Sequence, residues 1–474
     1  MSPYVPPPGS IPTLEVPDVS GLRRVHMIGI GGAGMRNLAR LFLARGVSVT
    51  GSDLKDSQGV QELRALGATV AVGHDVRNLG DADAVVVSTA IRDDNPELVE
   101  ARRRRIPTWA RAQALAAAAT GRRQIAIAGT HGKTTTTAMI ALVLERAGMD
   151  PTFVIGGDTN ESGSGANAGS GELFVTEADE SDGSFLLGGP AVGVVTNVEV
   201  DHLDFYGGGL AEIEDAFTAF AERCDRLVVC ADDLPAMRSV AASGRPVLTY
   251  GIDPNADLRV EIASVGPGGA RATLVIEGER HALALGVDGA HNLLNAAAAV
   301  AVAGTVGVEA AVAAGALAAF TGVHRRFEHR GSVRGADFYD DYGHVPTELE
   351  VTLGVARRAS RSESPASTPS SCAFSRPVSA LITPAPTESK APIRPSTRIV
   401  PASGTNTPAI VRSSVVLPPP LRPTSATASP GPISRSTPCS PHELVPVLRA
   451  CTRASVGETR RRCRSKRNST PTPC

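Results

Sequence analysis

Apolar positions along the first 358 residues recur in two alternating rhythms, short β-type runs ending in glycine or aspartate and longer stretches at helical spacing. RRVHMIGI (23–30) predicts a strand running into glycines, followed by a helix from about 33 to 45. VSVTGSD (47–53) predicts the next strand, 58–66 a helix, 69–72 a short strand and ADAVVVSTAI (82–91) a buried strand. This β-α-β-α-β order predicts a parallel, Rossmann-like sheet with helices on both faces. The Ala-rich helix 111–119 leads to Gly121, a boundary. QIAIAG (124–129) opens a second unit, a strand entering GTHGKTTTT and a helix through 146. Further strands are predicted at 152–155, 172–176, 192–196, 227–231 and 247–250, and 257–287 alternates like antiparallel strands. DGAHNLLN (288–295) opens a nearly uncharged Ala/Gly stretch to 320. Glu309 and the break at Thr305–Gly307 make it a buried helix pair rather than a membrane span. GVHRRFEHRG (322–331) reads as a hinge, and 337–358 as a strand, a loop and a helix.

Composition alters this picture at one point. Residues 1–358 carry 31 basic and 44 acidic residues, whereas 359–474 carry 16 basic and 4 acidic, with 20 Pro, 21 Ser and 13 Thr. That segment has one aromatic residue, Phe374, and no Asp. Such a composition predicts a low-complexity tail that forms no packed domain. It fits either a basic extension or a GC-rich gene read out of frame from about 358. The units expected are therefore a Pro-rich leader 1–20, domains at 21–120 and 121–328, the start of a third at 329–358, and the tail 359–474. The net charge of −1 gives no basic field for nucleic acid. Only Cys224 and Cys230 precede the tail, which is no disulfide framework, and MSPYVPPPGS has no signal-peptide pattern, so a cytoplasmic protein is expected.

Two loops carry phosphate-type chemistry. Gly29-x-Gly31-x-x-Gly34 follows a strand and opens a helix, with Asp53 ending the next strand. Small residues let backbone approach a diphosphate at a helix N-terminus, but they do not specify what the diphosphate carries. Gly129-Thr130-His131-Gly132-Lys133-Thr134 also joins a buried strand to a helix. Its backbone amides suit a triphosphate, Lys133 its charge, and the Thr134 hydroxyl Mg²⁺. Two such sites disfavour a plain dehydrogenase, because hydride transfer needs no ATP. The acids Glu177, Asp179, Glu180 and Asp182, and His202 between Asp201 and Asp204, follow strands and suit Mg²⁺ or phosphate. His291, Asn292 and Asn295 sit at a helix start, where amides suit an adenine edge or cap the helix. Arg325 and Arg326 lie in the hinge, where domain closure would bring an arginine to phosphate. The roles of Asp340, Asp341, His344 and Glu348 are not set by their spacing.

GIGGAGM (29–35), GTHGKTTTT (129–137), EADESDGSF (177–185), TNVEVDHLD (196–204), HNLLN (291–295), GVHRRFE (322–328) and DDYGHVPTE (340–348) occur in this order. Together they resemble the Mur ligases of peptidoglycan synthesis, over about 22–358. The first loop is most similar to that of members joining L-alanine to UDP-N-acetylmuramate. A relative that recycles a tripeptide onto the same sugar is the alternative, as is a nucleotide-binding chain that no longer ligates. The resemblance implies a UDP-sugar domain, a P-loop-type ATP domain and a third, Rossmann-like domain that brings the amino acid. It implies an acyl-phosphate intermediate formed from ATP, with Lys133, Glu180 and His202 catalytic and Mg²⁺ on Thr134, Glu180 and His202. It assigns Gly129, Thr130, His131, Gly132, Thr135, Asn292, Asn295, Arg326 and Asp341 to ATP. It assigns Gly29, Gly31, Gly32, Gly34, Met35, Ser52 and Asp53 to the UDP-sugar. Two features depart from the family pattern. No lysine lies between 134 and 389 to serve as the carbamylated metal bridge of some members, and Val345 stands where a second histidine is common.

Overall fold

The computed structural model describes residues 15–161, 163–333 and 336–362, with two short strands at 379–381 and 414–417. The first domain comprises β1 (Arg24–Ile28), α1 (Ala33–Ala44), β2 (Ser48–Asp53), α2 (Gln58–Ala65), β3 (Thr69–Val72), β4 (Ala84–Val87), α3 (Pro96–Arg103), β5 (Thr108–Ala110) and α4 (Arg111–Ala119). Its five strands are all parallel, in the order β3-β2-β1-β4-β5. The order reverses at β1, so the glycine loop after β1 occupies the crevice where such sheets bind ligands.

The strand expected over 82–91 is shorter, and α3 and β5 follow it unforeseen. Four of the eight residues of α3 are charged, which hides its apolar face. The sequence nevertheless marks its start: Asn95 accepts from the N–H groups of Glu97 and Leu98, and Pro96 begins the helix.

The second domain contains β6 (Arg123–Ala128), α5 (Lys133–Arg146), β7 (Thr152–Val154), β8 (Ala166–Asn167), β9 (Leu173–Glu177), β10 (Val192–Val195), α6 (Leu210–Arg223), β11 (Arg226–Cys230), α7 (Leu234–Ala241), β12 (Val247–Gly251), β13 (Leu258–Gly266), β14 (Gly269–Ile276), β15 (Glu279–Leu285), α8 (Ala290–Thr305) and α9 (Ala310–Leu317). They build one ten-stranded sheet, β15-β14-β13-β12-β11-β10-β6-β9-β7-β8. Strand β6 lies between β9 and β10, parallel to both. The loop after β6 is therefore flanked by the loops after β9 and β10, which carry the acids and His202.

Alanine lets α8 pack tightly. Ala296, Ala297, Ala298 and Ala299 are fully buried against a core shared by α5, α9 and the sheet. This is the expected buried helix pair, and among the described residues no helix is long and apolar enough to cross a membrane. Helices α6 and α7 cover the opposite face through Phe217, Phe220 and Val240. The core of the first domain takes in Val154 and Phe174 of the second sheet, so the two domains share one apolar seam.

Beyond α9 the hinge is shorter than 322–331, because β16 (Glu328–Val333) already begins within it. Arg325 (φ 64°) and Phe327 (φ 49°) take left-handed conformations just before this strand. β17 (Ala336–Asp340) pairs antiparallel with β16, and α10 (Pro346–Ser362) follows, running four residues past the expected end at 358. β18 (Ser379–Leu381) and β19 (Ser414–Leu417) extend this sheet beside β17. The expectation of an unpacked tail otherwise lies outside the described residues, as does most of the leader.

Candidate active site

The loop after β6 is built around glycine. Gly129 has φ 130°, and a Cβ there would lie 2.0 Å from Thr196 Oγ1. Gly132 has φ 82°, and its Cβ would meet Asn295 Oδ1 at 2.8 Å. Asn197 fixes the loop from the β10 side: its carbonyl accepts from Thr130 N–H at 3.0 Å and its side-chain oxygen from His131 N–H at 2.8 Å. Thr135 lines the neighbouring cavity and Thr136 Oγ1 donates to Asn295 Oδ1 at 3.2 Å.

Lys133 opens α5. Its Nζ donates to Glu180 Oε1 and Oε2 at 2.8 and 2.9 Å and to the Gly129 carbonyl at 2.7 Å. Burial alone would lower its pKa, but the carboxylates of Glu180, Asp179 and Glu177 outweigh burial and hold it raised. The Thr134 hydroxyl donates to Glu177 Oε2 at 3.2 Å rather than to Glu180. Glu177 is thus the carboxylate beside Thr134, a pairing the sequence reading did not assign.

The expected metal set is not assembled. Glu180 is engaged by Lys133, and the Nε2 of His202 lies 3.6 Å from Asp201 Oδ2. Among the described residues no group of three His, Cys, Asp or Glu side chains is gathered for a metal ion. The donors beside the phosphate loop, the Thr134 hydroxyl with the Glu177 and Glu180 carboxylates, are nonetheless hard oxygens. That chemistry fits Mg²⁺, which binds through one or two carboxylates together with phosphate and water.

A cavity of about 670 Å³ opens beside this loop, lined from the second domain by His131, His291, Asn292 and Asn295, from the hinge by Phe327 and from the third domain by Tyr339 and Glu348. Asn292 Nδ2 donates to the Asp288 carbonyl at 2.7 Å, which is not a helix cap because the N-cap residue of α8 is Gly289, and Asn295 faces the loop. Burial pushes the His291 imidazole down to about 4, so it is neutral. Arg326 Nη2, from the hinge, approaches Thr134 Oγ1 at 3.5 Å. Asp341 borders the cavity but is occupied by backbone, accepting from Phe327 N–H and Gly343 N–H, both at 2.8 Å. The bond from Phe327 ties the end of β17 to the hinge. His131 stands between Glu199 (3.2 Å) and Glu348 (3.3 Å), so α10 touches the phosphate loop.

The first glycine loop is tied to the end of β2. Gly29 N–H and Ile30 N–H donate to the Ser52 carbonyl at 2.8 and 3.1 Å, and Gly31 N–H to Asp53 Oδ2 at 2.9 Å. Gly32 caps α1 and Gly34 lies in its first turn. Two of the expected sugar ligands point elsewhere. Met35 is 2% exposed and belongs to the core. Ser52 is fully buried, donating to Glu97 Oε2 at 2.5 Å and bonded to His74 Nδ1 at 2.9 Å. Glu97 also meets His26 at 3.3 Å and Asn78 at 2.6 Å. Burial raises the Glu97 pKa, but the donors prevail and hold it at about 2.

The residue the sequence reading missed is Arg111. It begins α4, and a Cβ on Gly34 would lie 3.3 Å from its Nη1. Its Nη2 lies 3.7 Å from Asp179 Oδ2. A cation at a helix N-terminus opposes the helix dipole, and that mismatch was the available signal. Arg111 thus joins the first glycine loop to the acids that face Lys133.

Comparison with known proteins follows this division. Residues 24–123 match the Mur ligase family catalytic domain and 127–303 the Mur ligase middle domain. The UDP-N-acetylmuramate–L-alanine ligase of Thermobifida fusca is 51% identical over 352 residues, covering 73% of this chain and 74% of the relative. That of Clavibacter sepedonicus is 51% identical over 348 residues, 73% of this chain and 72% of the relative. Among solved structures, the UDP-N-acetylmuramate–alanine ligase of Thermotoga maritima superposes with TM-score 0.64 at 33% identity, covering 71% of this chain and 78% of that one. A murein peptide ligase of Psychrobacter arcticus gives TM-score 0.62 at 28% identity, covering 71% and 76%.

Proposed function

The chain belongs to the Mur ligase family, and from that premise we propose that it joins L-alanine to UDP-N-acetylmuramate at the expense of ATP, acting in the cytoplasm. One observation carries this reading: the second glycine loop and Arg111, which lies against Gly34 of the first, meet at a single acidic segment, Lys133 contacting Glu180 at 2.8 Å and Arg111 facing Asp179 at 3.7 Å. Phosphoryl transfer from a nucleotide to a sugar-borne carboxylate needs the two anions held side by side with their repulsion neutralised.

In this reading the loop 129–134 and the N-terminus of α5 hold the triphosphate, and Lys133 stabilises charge on the transferring phosphoryl group. The muramoyl carboxylate, steered by Arg111, attacks the γ-phosphorus and ADP leaves. The L-alanine amine attacks the resulting acyl phosphate, and loss of phosphate leaves the amide. Thr134, Glu177 and Glu180 would hold Mg²⁺, which supplies Lewis-acid neutralisation of the phosphates. Arg326 and the His131–Glu348 contact hold the hinge against the nucleotide.

The test is phosphate release that requires ATP, UDP-N-acetylmuramate and L-alanine together. A tripeptide replacing L-alanine as the better acceptor would favour the recycling activity instead. A second reading, nucleotide binding without ligation, is favoured by the composition of 359–474, where the amino-acid domain should continue. ATP and UDP-sugar binding without phosphate release would establish it.

A further inference from the structure

Residues 155–161, between β7 and β8, touch three parts of the molecule. Toward the first domain, the Asp158 carboxylate receives Arg36, and Arg40 at 3.1 Å, both from the helix that the first glycine loop opens. Asn37 Nδ2 of the same helix donates to the Ile155 carbonyl at 2.8 Å. Toward the hinge, the Asp158 carbonyl accepts from His324 N–H at 2.9 Å, and Asn160 N–H donates to the Gly322 carbonyl at 3.2 Å. Asn160 Nδ2 reaches the Thr321 carbonyl at 3.0 Å, and Thr159 pairs with Val323 in an antiparallel bridge. Toward the phosphate site, Gly156 N–H donates to Glu177 Oε1, and a Cβ on Gly157 would meet Val323 at 3.0 Å and Thr134 at 3.5 Å.

One residue therefore holds the first-domain helix with its side chain and the hinge with its backbone. The side chains concerned are largely shielded: Arg36, Arg40 and Asp158 are 16%, 12% and 16% exposed. Arg40 also contacts Glu62 at 2.9 Å, but the Nε atoms of Arg36 and Arg40 are buried without a hydrogen-bond partner. Two cations thus converge on Asp158, and their position fixes its backbone. Two residues beyond His324, Arg326 reaches Thr134 of the phosphate loop.

We propose that Asp158 is a positioning residue that ties the helix of the sugar-binding loop to the hinge carrying Arg326, so that UDP-sugar and ATP bind cooperatively. The first glycine loop opens α1; α1 holds Asp158; Asp158 sets His324; and the hinge sets Arg326 on the phosphate loop. This inference rests on the reading of the first domain as the UDP-sugar site.

The experiment titrates the full-length protein with a non-hydrolysable ATP analogue, with and without saturating UDP-N-acetylmuramate, and the reverse. The sugar nucleotide should tighten analogue binding by about fivefold or more, with the reciprocal effect equal. Asp158→Asn should bring this factor to about one, while each ligand alone binds within about threefold of its normal affinity. A merely structural role would weaken both ligands and leave their coupling intact. Because neutralising Asp158 leaves two buried arginines short of charge, Arg36→Met is the companion variant. It keeps the Asp158–Arg40 pair and should reduce the factor in the same direction. Undiminished coupling in a folded Asp158→Asn protein, or in Arg36→Met should the first not fold, overturns the proposal. So does binding of both ligands to the unmodified chain with no coupling. Failure of the unmodified chain to bind UDP-N-acetylmuramate at all overturns the functional reading and this inference with it.

Discussion

Lys133 and Glu180 form an ion pair across the phosphate loop, with Nζ 2.8 and 2.9 Å from the two carboxylate oxygens. The lysine side chain is 15% exposed and the glutamate 3%. The cation is thus held charged at the start of α5, and a phosphate entering the loop would compete with Glu180 and the Gly129 carbonyl for its protons. Lys133→Ala should lower turnover by roughly 10²–10³, the range for losing a preorganised electrostatic donor. It also strands a buried carboxylate, a loss of about 3–5 kcal/mol. Adding Glu180→Gln should restore the melting temperature without restoring ATP binding. Calorimetric titration with ATP beside thermal melts separates the two effects; normal ATP affinity in Lys133→Ala would remove this loop from the mechanism.

Arg111 should matter to one ligand and not the other. Its guanidinium sits over Gly34 and opposite Asp179. Arg111→Met should weaken UDP-N-acetylmuramate by about 10-fold or more, the worth of a charge-assisted hydrogen bond, with little change for ATP. The unmodified protein should bind UDP-N-acetylmuramate and not NADH. Tight NADH binding without sugar-nucleotide binding would assign the first domain to a different chemistry.

His291 gives the fold an acid sensitivity. Burial lowers its pKa to about 4, so between about 4 and 6.5 the unfolded chain binds a proton that the folded one refuses. The contribution of neutral His291 is present above about 6.5 and is lost as pH falls toward 4, amounting to about 3 kcal/mol. Thermal melts from pH 7.5 to 4 should show this decline, and His291→Gln should flatten it. An equal slope in the variant would assign the acid sensitivity to other groups.

The cavity beside the loop after β6 draws its described lining from residues up to Ala359. A chain ended after Ser362 should keep its ATP affinity within about threefold, a change under 1 kcal/mol. A larger loss in direct titration would mean that residues beyond 362 contribute to the site.

Much of this arrangement was legible in the sequence because glycine and buried apolar runs answer to local backbone demands. Gly129, Gly132 and the strands beneath them stand where the spacing predicted. The setting of Ser52 was not legible because the direction of a strand-end hydroxyl depends on what lies across the sheet. Here Glu97 and His74 draw it inward, and both arrive from elements distant in sequence. The partners of Asp341 were hidden for a related reason, its carboxylate accepting from Gly343 N–H and from Phe327 N–H of a hinge whose path the sequence does not reveal. Arg111 meets Asp179 only through domain packing, and Glu177 meets Thr134 only because β9 lies beside β6 in the sheet. Helix α3 escaped because its few apolar positions were masked by charge, although Asn95-Pro96 announced it.

The placement of α8 also governs how the chain can be made. The helix packs on α5 and lies across β11, β12, β13 and β14, all of which precede it in synthesis. Until the ribosome has released residues through about 305, the apolar face that Ala296–Ala303 covers has no lining, and a nascent chain halted before that point presents it to solvent and chaperones. Once α8 has docked and α9 has followed it, the two-domain body holds its own core. Any change of sequence in the last hundred residues therefore reaches a body whose apolar interior is already closed, and the two glycine loops are inherited whether or not the remainder of the chain is read as its relatives' genes would read it.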